Sequence, residues 1–293
     1  MKNLKNLREA SGNTQAQIAA MLGTTQQTYA RWEAGKVSPP IPALRELALI
    51  FSTTVDHLLG RGPSKAPSTR YHLIAGDADG FWGHLGLLLP GSSHTKWYPI
   101  TAGEASNIRR RIAAGYNVDD WIVAHTLNNR VLIFTPKKML RVQLLEDACD
   151  SPKGDWNWTA PWNDQNGIPI ELYKAMDDWL DGQQEFERNN LEPTREKALT
   201  LIEQGGFLHA PDGLAAHLHN TAIHLSDGTE ISYEADRSDL SLLPTELEGD
   251  TDLEVVSLSA SEGEGESYYA VSMLRLIELP LIELEAALAE LED

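Results

Sequence analysis

Residues 14–36, TQAQIAAMLGTTQQTYARWEAGK, constrain the fold of this chain more than any other stretch. They read as two short helices joined by a tight turn. Ile18, Ala19 and Leu22 form an apolar stripe, and Gly23 supplies the left-handed residue that ends the first helix. Thr24 or Thr25 is placed to cap the second. In that helix Tyr29 and Trp32 stand one turn apart and point inward, so Gln26, Gln27 and Arg31 face outward. Glutamine bonds adenine bidentately, and arginine bonds guanine or a phosphate. The outward face of the second helix therefore carries groups suited to base edges.

The flanks extend this into a small helical domain. Leu4 to Ser11 reads as a first helix, with Leu4 and Leu7 inward and Arg8 near the surface, closed by Gly12. After Lys36 the segment VSPPIPA cannot be helical, because prolines interrupt it. Pro42 suits the first turn of the next helix, where Leu44, Leu47, Ala48 and Phe51 follow the 3.6-residue period. Ser52 to Gly60 reads as a fifth helix, capped by Thr53 or Thr54.

At Gln15, Ile18, Ala19, Leu22, Gly23, Gln27, Trp32, Glu33, Gly35 and Lys36 the chain resembles the helix-turn-helix of the XRE, or Cro/cI-type, DNA-binding regulators. The run Gly23-Thr24-Thr25-Gln26-Gln27 is similar to the start of the recognition helix in lambdoid phage repressors. The resemblance covers residues 4–60 only. It implies an all-α, lambda-repressor-like head of five helices that reads the major groove of double-stranded DNA. It also implies that Gln26 and Gln27 reach base edges and that Gln15, Thr25 and Lys36 lie nearer phosphates. Thr28 and Arg31 complete the implied DNA-binding set, with Ile18, Leu22, Tyr29 and Trp32 as the motif's core. Tyr29 departs from the aliphatic residue usual at its position, and is expected as a core residue with its hydroxyl at the surface. Arg31 stands where the family varies, so its target stays open. Use of the motif only for protein docking is the alternative.

A net charge of −19 opposes DNA binding until the chain is divided. Residues 1–70 hold nine Lys and Arg against four acids, a net +5, and the remainder is −24. A basic head on an acidic body confines DNA contact to the head. The chain has 293 residues, enough for two or three domains, and no apolar run near the ~20 residues that span a bilayer. Its start lacks the apolar core of a signal peptide, and Cys149 is the only cysteine. These features lead us to expect a cytoplasmic protein without membrane contact.

Arg61 to Thr69, RGPSKAPST, reads as an interdomain linker. Beyond it the pattern is α+β. HLGLLLPGS and KWYPI read as strands, and Glu104 to Ala114 as a helix. WIVAHT and RVLIFT flank Leu127-Asn128-Asn129 as an antiparallel hairpin, followed by the strand RVQLLED. Pro169 to Leu180 and Thr194 to Gln204 read as helices. TAIHLS and TEISYE flank Asp227-Gly228 as a second hairpin, DLSLLP and SYYAVSMLRLIEL read as strands, and Pro280 opens a last helix. The recurring order of hairpin, strand and Pro-initiated helix suggests a duplication. The expected domains are thus a 1–60 head, a 61–69 linker, and α+β modules at 70–190 and 191–293.

Other chemistry is thin. HLH at 217–219, read as a strand, would put His217 and His219 on one face with His224 nearby, a pairing that can chelate zinc. Neither cysteine nor HExxH spacing supports it, so no metal site is expected. Arg109-Arg110-Arg111 reads either as a phosphate site or as a solvated face that pairs with acids. The tryptophans outside Trp32, among them Trp156, Trp158 and Trp162 of the loop at 151–167, suit a ligand pocket or ordinary core packing. No phosphate loop, GxSxG or nucleophilic cysteine context occurs, so neither enzymatic activity nor a cofactor is expected. The resulting expectation is a sequence-specific transcriptional regulator, a repressor that binds a palindromic operator as a homodimer. Its body would serve dimerisation, a small-molecule effector or a partner protein. Two alternatives stay open: an antitoxin or phage-defence adaptor whose acidic body binds a partner while the head autoregulates its operon, and an uncharacterised enzyme fused to the head.

Overall fold

A computed structural model describes residues 2–51, 53, 55–60, 80–113, 121–156, 165–249, 252–261, 263 and 265–291. The expected linker at 61–69, and with it Arg70, Trp158 and Trp162, lies outside them. In chain order come helices α1 (Lys2–Ala10), α2 (Gln15–Met21), α3 (Gln26–Glu33), α4 (Ile41–Ile50) and α5 (Val55–Leu59). Next are β1 (Phe81–Leu88), β2 (Lys96–Thr101), α6 (Ala102–Ala113), β3 (Ile122–His125), β4 (Arg130–Phe134) and β5 (Arg141–Glu146). Then follow α7 (Ile170–Leu180), α8 (Gln183–Asn189), α9 (Glu192–Gln204), α10 (Pro211–His219), β6 (Asn220–Leu225), β7 (Glu230–Glu234) and α11 (Arg237–Gly249). The chain ends with β8 (Val255–Ser257), β9 (Tyr268–Ala270), β10 (Leu274–Pro280) and α12 (Leu281–Glu290).

These elements form two compact units. The first comprises Met1–Phe81 and Ile168–Gln204. Its core gathers Leu4, Ile18, Ala19, Leu22, Tyr29, Trp32, Leu47, Phe51 and Leu58, with Leu191 packed against it. The unit that holds the helix-turn-helix is therefore larger than residues 1–60. Helix α4 explains why: Ala43, Leu44, Glu46, Leu47, Ala48 and Leu49 are all buried, more than one stripe of the helix. A helix apolar on so much of its circumference needs partners on two sides. Helices α7–α9 supply the second side. Asp178 and Asn190 hold the Arg45 guanidinium, the Asn190 contact at 2.9 Å. Thr194 donates to the buried Glu46 carboxylate at 2.5 Å.

The second unit comprises Trp82–Gly167 and Gly205–Asp293. Its centre is a five-stranded sheet of order β3-β4-β10-β6-β7 whose neighbours are all antiparallel. One face packs Val131, Ile133, Ile223, Ile277 and Leu279 against Leu240, Leu243 and Leu247 of α11 and Leu284 and Ala287 of α12. The other face packs Ile122, Ala124, Leu132, Phe134 and Leu276 against the three-stranded sheet β2-β1-β5 and α6.

Both expected hairpins form, and they share the five-stranded sheet through β10. Three expectations are corrected. DLSLLP is not a strand but part of α11: the Leu240 amide bonds the Asp236 carbonyl at 3.1 Å, and the Asp236 carboxylate accepts from the Ser238 amide at 2.9 Å. SYYAVSMLRLIEL is two strands, β9 and β10, broken by a turn in which the Met273 amide donates to the Ala270 carbonyl at 2.9 Å. His217 and His219 lie in α10, which Pro211 opens, so they fall on different helical faces. The two expected copies consequently diverge after their hairpins, with strand β5 in one and helix α11 in the other. Helix α8 had no counterpart in the expected elements.

Candidate nucleic-acid interface

Helix α2 begins with a reciprocal cap: the Gln17 amide donates to Thr14 Oγ1 at 3.2 Å, and the Thr14 amide donates to Gln17 Oε1 at 2.8 Å. It ends at Gly23, whose φ of 62° makes it the left-handed residue of the turn. The Thr24 amide then reaches back to the Ala19 carbonyl at 2.9 Å. Thr25, rather than Thr24, caps α3, its hydroxyl accepting from the Thr28 amide at 3.1 Å. Its Oγ1 also stands 2.9 Å from Thr28 Oγ1. The caps satisfy donors that the helix starts would otherwise leave open, and so fix where α3 begins.

Burial orients α3. Tyr29 is 0 % exposed and Trp32 7 %, which leaves Gln26, Gln27 and Arg31 on the open side. Ile18 and Leu22 join Tyr29 and Trp32 in one core. The Tyr29 hydroxyl is buried rather than at the surface. Burial and the Glu33 carboxylate keep that phenol protonated far above the ordinary tyrosine range. Lys36 follows the Gly35 turn and is exposed, its amide bonded to the Arg31 carbonyl at 2.9 Å.

One clamp at this site was not expected from the sequence. Arg8 donates to Glu33 twice, from Nε at 2.8 Å and from Nη2 at 2.9 Å. Gln15 donates from Nε2 to the same carboxylate at 3.3 Å. Arg8, and then Gln15, hold the Glu33 carboxyl below the usual range although burial opposes this. Arg8 of α1, Gln15 at the start of α2 and Glu33 at the end of α3 thus tie the three helices together. Gln15 is half-buried, and one of its amide hydrogens is committed to Glu33. The signal available was an arginine and a glutamate on elements already expected to pack together.

The remaining described candidates belong to the second unit. Arg111 pairs with Glu248 and donates to the Trp121 carbonyl at 2.8 Å. Arg109 lies over the Trp82 ring and Arg110 bonds Asn107, so the arginine run of α6 is divided among separate partners. Trp156 packs edge-on against His84 and beside Trp97. His219 pairs with Glu283 at 3.0 Å, and His224 bonds Glu278 at 2.7 Å.

Comparison with known proteins bears on the first unit alone. The family described as Helix-turn-helix matches residues 4–58. Among curated proteins of Bacillus subtilis (strain 168), the SPbeta prophage-derived uncharacterized HTH-type transcriptional regulator YonR is 36% identical over 58 residues, 20% of this chain and 54% of that protein. The HTH-type transcriptional regulator AnsR is 38% identical over 65 residues, 22% of this chain and 56% of that protein. The uncharacterized HTH-type transcriptional regulator YobD is 34% identical over 59 residues, 20% of this chain and 53% of that protein. The chain spans about half the length of these curated relatives. No solved structure matches the chain. No described helix is long and apolar enough to cross a membrane. Residues 4–58 are a helix-turn-helix of the XRE type.

Proposed function

We propose that this protein is a sequence-specific DNA-binding transcriptional regulator of the cytoplasm, acting as a repressor on a palindromic operator. The observation that carries it is the start of α3, where Gln26 and Gln27 stand exposed beside a Thr25 cap while Tyr29 and Trp32 anchor the opposite side. Placed in the major groove, Gln26 and Gln27 read base edges. Gln15, Thr25, Thr28 and Lys36 set the register on phosphates, and Arg31 lies one turn further along. One small helical head covers few base pairs, so two copies, about 34 Å apart on one duplex, supply useful affinity. The second unit serves as the regulatory body.

Selection of bound sequences from a random duplex pool tests this. The expected product is an inverted repeat, and Gln26→Ala and Gln27→Ala each weaken binding to it by about 1–3 kcal/mol with little effect on random DNA. Equal losses on both DNAs would show that these residues touch only phosphate. A chain that enriches no sequence would overturn the reading.

A further inference from the structure

The two faces of the five-stranded sheet differ in chemistry along its width. At β3 and β4 the face that carries Leu132 is apolar and covered by β1, β2 and α6. Strand register places Glu278 beside Leu132, Ala222 beside Glu278, and Ser232 beside Ala222, all on that face. There the residues turn polar: Asn220 and His224 on β6, Glu230 and Ser232 on β7. Their alternates Ile223, Ile231 and Tyr233 serve the opposite core. The polar half borders a cleft of ≈ 450 Å³, which Phe207, Arg130, Lys96, Asn220, Ser232 and Glu278 help to line. That size lies within the range of small-molecule sites.

The charges in this cleft are arranged unevenly. Glu278 is satisfied at the floor by Lys96 at 3.2 Å and His224 at 2.7 Å. Burial opposes its ionised form, yet the Lys96 ammonium and the His224 hydrogen bond hold the carboxyl far below its ordinary range. Glu230, nearer solvent, lies 3.3 Å from His224 and 4.0 Å from Lys96. Among the described residues Arg130 makes no direct ion pair, although its charge also helps hold the Glu278 carboxyl low. It donates to the His217 carbonyl at 2.7 Å and the Asn129 carbonyl at 3.5 Å, and no described carboxylate pairs with it. A half-buried guanidinium held by carbonyls, with donors to spare, suits a carboxylate. The ionised Glu278 at the floor of the cleft, with the Glu230 side chain beside it, disfavours a second negative charge on the ligand. Asn220, Ser232 and Glu230 offer hydrogen bonds to hydroxyls, and Phe207 offers a flat wall.

We propose that this cleft binds a small polyhydroxylated monocarboxylate, a sugar acid, with its carboxylate on Arg130. This deepens the reading of the second unit as a regulatory body, but binding itself does not depend on that reading. The test titrates the full chain, without DNA, with gluconate, glucuronate and galacturonate by calorimetry, with glucose and citrate as neutral and trianionic comparators. Saturable heat is expected for at least one sugar acid at low-millimolar concentration, and weaker or no heat for the comparators. Arg130→Met should reduce affinity at least tenfold. Because Arg130 also holds backbone carbonyls, Ser232→Leu, an exposed strand position that narrows the cleft, provides a second variant, and circular dichroism checks both folds. Absence of heat with all three sugar acids would overturn the proposal. So would unchanged affinity in folded Ser232→Leu and Arg130→Met, or tighter binding of citrate. Operator affinity is then measured with and without the bound sugar acid. No change there would count against the regulatory reading of the body and leave the binding site standing.

Discussion

Glu33 shows what a single side chain contributes to the helix-turn-helix unit. Its carboxylate is nearly buried and accepts from Arg8 and Gln15, so removing the arginine strands a charge. We expect Arg8→Met to destabilise by about 2–4 kcal/mol in urea unfolding, and the double variant with Glu33→Met to cost less than the two single changes summed. Additive costs would show that the pair is not coupled. Glu104 offers a different residue-scale test. Burial pushes its carboxyl up to about 7, more than the Arg111 guanidinium and a hydrogen bond from the His125 backbone can offset. A folded-state value above the ordinary one means that the fold favours the protonated form. That advantage is complete below about pH 4.5 and is lost as pH rises through 7. Between pH 5 and pH 8 the wild type should therefore lose about 1–3 kcal/mol relative to Glu104→Gln. Parallel stability curves for the two proteins would sink this expectation.

At the scale of elements, local chemistry decides what can be read in advance. Helix α3 was legible because its cap, its left-handed predecessor and its two aromatic anchors are all within ten residues. The hairpins were legible because Asn129, with a φ of 58°, and Gly228 mark their turns. Helix α11 was not, because DLSLLP alternates over a short window as well as it repeats every 3.6 residues. Only Leu240, Leu243 and Leu247 together, behind Asp236, reveal the longer period. The helices of the helix-turn-helix thus followed from the sequence, while the larger unit around them did not. Its signal was the excess of apolar residues around α4, which identifies a need for a partner but not which segment meets it. Thr194 of α9 meets part of it by donating to buried Glu46. Thr194→Val keeps the shape and removes the donor, so it should cost about 1–3 kcal/mol, and Thr194→Ser should restore most of that. Equal stability of the valine and wild-type proteins would show that the bond adds nothing.

At the scale of the molecule, the first unit is made of two chain segments with residues 82–167 between them. This alters the picture of a basic head tethered to an acidic body. Residues 168–204 carry four Lys and Arg against nine Asp and Glu, and they belong to the same unit as the basic residues 1–70. Charge therefore divides within the unit, and the acidic helices flank α4 rather than standing off from it. The topology has a mechanical consequence. If α4 is held by α7–α9, cutting the chain between the helix-turn-helix and β1 should not release the head. The contacts to be broken include the Arg45 guanidinium on Asp178 and Asn190, the Thr194–Glu46 bond, and Leu191 against the core. Burial of the apolar side of α4 adds several kcal/mol more at about 25 cal/mol per Å². We expect that a chain carrying an inserted protease site between Ser64 and Lys65, once cut, elutes as one species in native gel filtration and as two in denaturant. Leu191→Glu combined with Arg45→Ala should release the N-terminal piece without denaturant. Release of that piece from the otherwise unmodified cut chain would show that residues 1–60 are a free-standing domain after all.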